Sequence, residues 1–140
     1  MIRIERLADA TMAAPLLHEL RHVLDDATLA RRLAAAQAQG YRVIAASDGE
    51  TMVGALGCRV IDDLCWGRSL FVDDLVVTET RRGAGIGASL LQAARDLAAE
   101  EDCAHLRLCS GLARTDAHRF YETQGMTGRS LHFVQSLEQG

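Results

Sequence analysis

The stretch TRRGAGIGASLL, Thr80–Leu91, sets three glycines within five positions, behind two arginines and ahead of an apolar run at helical spacing. The preceding Ser69–Val77 reads as a strand, so a strand, a charged turn and a glycine-rich helix entrance follow one another. The first turn of a helix has unpaired N–H groups and the positive end of the helix dipole, and glycines let an anion come close to that backbone. Arg82 adds a full positive charge. Glycines of this kind also serve tight turns and helix packing, but three of them behind paired arginines favour a phosphate.

Two familiar phosphate loops do not fit. A P-loop needs GK[ST] after its glycines, whereas this chain reads Gly87-Ala88-Ser89. A dinucleotide fold needs an acid at the end of its second strand, but Glu100, Glu101 and Asp102 close the helix instead.

Working outward, Met1–Leu7 alternates as a strand, and Asp9 offers an N-cap. Helical spacing runs from Ala10 to Val23, and a second helix is expected from Thr28 to Gln39, ended by Gly40. Tyr41–Ala46 and Thr51–Asp62 form a hairpin about Asp48-Gly49, and a turn at Cys65–Arg68 adds Ser69–Val77 to an antiparallel meander. Leu90, Leu91, Ala94 and Leu97 trace one stripe of a helix over about Gly85–Glu101. His105–Cys109 is a strand, Thr115–Thr123 a short helix ended by Gly125, and Leu131–Leu137 a last alternating strand. The expected fold is α/β, of the α+β kind, in the order βααβββαβαβ, with residues 1–140 as one domain.

Composition excludes other classes. A formal charge of -4 and a pI near 5.7 oppose a general nucleic-acid binder, which needs a basic face. Cys58, Cys65, Cys103 and Cys109 form no CxxC pair and read as reduced core or pocket thiols. No apolar run reaches membrane-spanning length, and MIRIERLADA lacks the apolar block of a signal peptide. The expectation is a cytoplasmic protein acting on neither membrane nor nucleic acid.

The run VDDLVVTETRRGAGIGASLL, followed after one strand by AHRFYETQGM, resembles the GNAT acetyltransferases. Their R-x-x-G-x-G/A motif is matched by Arg82-Gly83-Ala84-Gly85-Ile86-Gly87, and their downstream A-x-x-x-Y and glycine by Ala117, Tyr121 and Gly125. Arg114 stands where the family often has Asn, and Met126 where it usually has Phe. The resemblance implies a mixed central sheet with flanking helices, and acetyl-CoA in a cleft where the fourth and fifth strands splay apart. It places the pantetheine along the backbone of Leu75, Val76 and Val77, and the pyrophosphate on Arg82 and the amides of Gly83, Ala84, Gly85, Ile86, Gly87 and Ala88.

Direct transfer of acetyl to an amine needs a base for the ammonium, a donor for the oxyanion and a proton for the thiolate. Asp73 is the candidate base, because FVDDLVV resembles the acidic pair of spermidine/spermine acetyltransferases; strand alternation should send Asp74 to the opposite face, where it can orient a cation. The oxyanion falls to backbone N–H near Val76. Tyr121, a phenol protonated at neutral pH, is the candidate acid. Asp62, Asp63 and Trp66 are candidates for the acceptor pocket, and the acids there suit a cationic acceptor. The acceptor class is a small-molecule or protein amine, and a homodimer is compatible with the reading. All these residues also have ordinary roles, as solvated acids or core aromatics.

HELRH, His18–His22, matches the zinc-protease pattern if both imidazoles share a helix face, but a third ligand would have to come from Asp25 or Asp26. A zinc hydrolase, or an acyl-CoA-binding regulator without catalysis, are therefore rival readings; the acetyltransferase reading needs no metal. His132 has no assigned role.

Overall fold

A computed structural model of the chain describes residues 1–138. Its backbone falls into two compact units, Met1–Leu108 and the residues from Cys109 on.

The first unit is built on a five-stranded sheet: β1 (Ile2–Arg6), β2 (Arg42–Asp48), β3 (Thr51–Asp63), β4 (Gly67–Val77) and β5 (His105–Leu108), in that spatial order. The first four are antiparallel neighbours, and β5 runs parallel to β4. The meander predicted from turn chemistry is present. Asp48 pairs with Thr51, so the two-residue loop is Gly49-Glu50, one position later than Asp48-Gly49, with Gly49 at φ +61. That left-handed φ suits a hairpin turn.

The predicted helix over Ala10–Val23 is two shorter pieces. A 3-10 turn spans Ala10–Ala13, capped by the Asp9 carboxylate, and α1 covers Ala14–Leu20 with Pro15 in its first turn. Proline lacks the N–H an uninterrupted helix would need there, but suits a helix start. Helix α2 covers Asp26–Ala38, its N-terminus capped by Asp25, which accepts from the Thr28 N–H at 2.7 Å. Leu16, Leu17 and Leu33 pack with Tyr41, Val43, Ala55 and Val76 on one sheet face.

Helix α3 (Ile86–Glu100) buries Ile86, Leu90, Leu91, Ala94 and Leu97, the stripe expected from its sequence. It reaches β3 closely at Gly54, where an added Cβ would lie 3.0 Å from Ile86 Cγ2 and 3.1 Å from Leu90 Cδ1. A bare strand residue here lets the front of the helix settle onto the sheet.

The second unit contains helix α4, Thr115–Thr123, as predicted, followed by Gly125 at φ +88. The strand expected over Leu131–Leu137 is absent: residues 127–138 carry no regular structure, and Leu131, Phe133, Val134 and Leu137 are exposed. Alternation says which face a strand would bury, but a strand exists only with a hydrogen-bonded neighbour. The segment has no ladder partner among the described residues. No helix among the described residues is long and apolar enough to cross a membrane.

Candidate active site

The glycine stretch forms the entrance to α3. After β4 the chain makes a short 3-10 turn, Glu79–Arg81, then passes Gly83 at φ +83 and Gly85 at φ +82. Both angles are left-handed, which explains these two glycines. Gly85 is the N-cap and supplies no side-chain acceptor, so the amides of the first turn lack the usual cap. The arginines divide. Arg81 is held by Asp48 at 3.0 Å, while Arg82 donates through Nε to the Val77 carbonyl at 3.2 Å and is exposed. Arg82 has no carboxylate in ion-pair contact among the described residues, so its charge is available to an anion.

Beside this entrance the sheet opens. The β4–β5 ladder runs from Ser69–His105 to Val72–Leu108 and stops, but β4 continues to Val77. From Asp74 to Val77, β4 keeps its pairing with β3 yet has no strand on its other side among the described residues. Over Leu75, Val76 and Val77 the outer edge of β4 thus has no ladder partner, and the Val77 carbonyl on it accepts from Arg82 Nε.

The same strand is distorted at its acidic pair. Gly57 pairs with Asp74 and Cys58 with Val72, so Asp73 is an extra residue without a partner across the ladder. A bulge of this kind cancels strict alternation. Asp73 and Asp74 consequently line one cleft of about 370 Å³ beneath α1 and α2, rather than opposite faces. Each is engaged. Arg59 grips Asp73 through Nε, 2.9 Å from Oδ2, and through Nη2, 3.0 Å from Oδ1. Asp74 accepts from Arg21 Nη2 at 2.8 Å and from the Tyr41 hydroxyl at 2.7 Å. Burial first, then the charge of Asp74, pushes the Tyr41 phenol far above its ordinary range, so it is a permanent donor.

The comparisons with known proteins agree with this geometry. The Acetyltransferase (GNAT) family matches residues 4–126. The chain is also 36% identical over 121 residues to the "Uncharacterized N-acetyltransferase YhdJ" of Bacillus subtilis (strain 168), covering 85% of each protein. This chain belongs to the GNAT acetyltransferase family. Its fold is shared with the ribosomal-protein-alanine N-acetyltransferase of Brucella melitensis biovar Abortus 2308, at TM-score 0.80 and 24% identity over 98% of this chain and all of that one. It is shared too with AAC(6')-Iy, solved with a bisubstrate analog of coenzyme A, at TM-score 0.82 and 14% identity over 97% and 99% of the two chains.

Other candidate residues of this GNAT chain lie elsewhere. Asp62, Asp63 and Trp66 sit at the far end of the β3–β4 hairpin and do not line the cleft. Five steps along β4 separate Arg68, the partner of Asp62 across the ladder, from Asp73, a span of about 16 Å. Asp62 is paired with Arg68 and Asp63 with Arg107; Trp66 is half-buried, with its ring 5.0 Å from that of His105. The cysteines also differ from expectation: Cys58 is buried, its thiol pushed up to about 12 chiefly by burial, while Cys65 and Cys109 are exposed.

HELRH does not form the helical pair its pattern requires. Helix α1 ends at Leu20, so His22 lies beyond it, and His18 Nε2 is 2.9 Å from the Leu24 carbonyl. Glu19 instead accepts from the Thr78 hydroxyl at 3.1 Å, tying α1 to the end of β4. Tyr121, in the second unit, is half-buried on α4; burial pushes its phenol up and Arg114 pulls it partly back. His132 lies in the irregular segment.

The sequence reading missed Arg21, Tyr41 and Arg59. One signal was present: Gly54 and Gly57 interrupt an apolar strand, and an internal strand glycine marks a bulge or a close approach. At Gly57 an added Cβ would overlap the hydroxyl and ring of Tyr41. The glycine is what lets the tyrosine lie across β3 and reach Asp74.

Proposed function

We propose that the protein transfers acetyl from acetyl-CoA directly to a primary amine. The observation that carries this is the pairing of an uncapped, glycine-lined helix entrance with an open β4 edge, in a chain of the GNAT family. The diphosphate rests on the amides from Gly83 to Ala88 and on Arg82, and the pantetheine runs along Leu75, Val76 and Val77. These residues bind and orient the thioester.

Asp73 is the proton acceptor for the ammonium, directly or through one water; Arg59 holds its carboxylate in place and leaves lone pairs on both oxygens. Backbone N–H near Val76 meets the oxyanion. Tyr121 gives its proton to the departing thiolate, and the raised phenol keeps that proton at neutral pH. Acceptor binding falls to the cleft beneath α1 and α2.

Release of thiol from acetyl-CoA, dependent on added amine, tests the transfer. Within that assay Arg82→Ala should raise the Michaelis constant for acetyl-CoA about tenfold and change turnover little, because the lost charge-assisted contact is remote from bond making. A loss confined to turnover would contradict the assignment of Arg82.

A further inference from the structure

The cleft beneath α1 and α2 holds three guanidiniums, Arg21, Arg32 and Arg59, and two carboxylates, Asp73 and Asp74. Both carboxylates are already matched, Asp74 by Arg21 and Asp73 by Arg59. Asp62 and Asp63, which suggested a cationic acceptor, are neutralised by Arg68 and Arg107 at the other end of the hairpin. Arg32 is the guanidinium left over. It lies on α2 at the cleft and makes no hydrogen bond or ion pair among the described residues.

Resting on the acetyltransferase reading, we infer that the acceptor is an amino carboxylate, an amine that also carries a carboxylate group, and that Arg32 selects it by binding that group. The guanidinium presents parallel donors that match a carboxylate, and such charge-assisted pairs are stronger than neutral ones. The rest of the cleft supplies an apolar wall, including Leu17, Leu29 and Leu33, against which the carbon skeleton packs. Asp73 and Asp74 then face the ammonium end. A purely cationic amine gains nothing from Arg32 and is repelled by the unmatched positive charge. The cleft volume, about 370 Å³, suits a ligand of amino-acid size.

The test compares free amino acids, the same amino acids as carboxamides, and polyamines, with thiol release and acetylated product both measured. The wild type should prefer a carboxylate over its carboxamide by about tenfold or more in kcat/KM. Arg32→Gln should remove most of that preference by raising KM for the carboxylate, and Arg32→Lys should keep part of it. Arg32 is exposed, so these variants are expected to fold. Equal or better turnover of carboxamides or polyamines by the wild type overturns the inference and leaves the transferase reading intact. An unchanged preference in Arg32→Gln overturns the role of Arg32. Failure of every amine to release thiol sinks the transferase reading, and the acceptor assignment with it.

Discussion

Tyr121→Phe is expected to lower turnover about a hundredfold, roughly 3 kcal/mol of barrier, while leaving acetyl-CoA affinity close to wild type. The substitution removes one hydroxyl and keeps the ring, so ground-state packing survives and only the proton for the thiolate is lost. Burial raises the phenol above its ordinary value and Arg114 offsets part of that rise. The protonated, donating form is therefore full at neutral pH and is lost only as pH climbs through the raised value, above the ordinary phenol range. The wild-type turnover profile should fall there, and the variant, lacking the group, should show no such fall. The variant's defect should also shrink with acyl donors whose leaving thiol is more acidic. A wild-type rate under conditions where chemistry limits turnover would make Tyr121 a packing residue.

Gly57→Ala should destabilise the protein by about 3 kcal/mol, lowering the thermal midpoint on the order of 10 °C. The added methyl falls on the ring of Tyr41, a core side chain only 6% exposed, and no small shift relieves an overlap with the ring and its hydroxyl. Displacing Tyr41 also removes a hydrogen bond from Asp74. A double-mutant cycle separates this from a loss of strand flexibility. In a Tyr41→Ala background the methyl has nothing to strike, so Gly57→Ala should then cost little. Equal cost in both backgrounds would show that the glycine is needed for the bulge itself.

Much of the fold was legible because its signals are local. Turn residues marked the β2–β4 meander, and the apolar stripe from Leu90 to Leu97 marked α3. The glycine-lined entrance to α3 was legible for the same reason: Gly83 and Gly85 occupy left-handed positions that few other residues tolerate. The cleft proposed for the acceptor was not, because its defining contacts join residues far apart in sequence. Arg21 meets Asp74 across 53 positions and Tyr41 meets Asp74 across 33. Strand periodicity misled at Asp73, since a single inserted residue reverses every side-chain direction that follows. Acid clustering pointed to a cationic acceptor without showing the pairing, because sequence shows carboxylates but not the arginines that fold onto them. The strand expected over Leu131–Leu137 failed on another ground: its pattern is present, but no ladder partner is found among the described residues.

The central claim is that the backbone from Gly83 to Ala88, with Arg82, binds the diphosphate of coenzyme A. A ligand that binds only the folded state stabilises it by mass action, about 2.7 kcal/mol at a hundred times its dissociation constant. The decisive measurement is the thermal midpoint with millimolar coenzyme A, beside pantetheine, which carries no phosphate. Coenzyme A should raise the midpoint by several degrees and pantetheine by far less; an unchanged midpoint with coenzyme A, or an equal rise with pantetheine, would contradict the account.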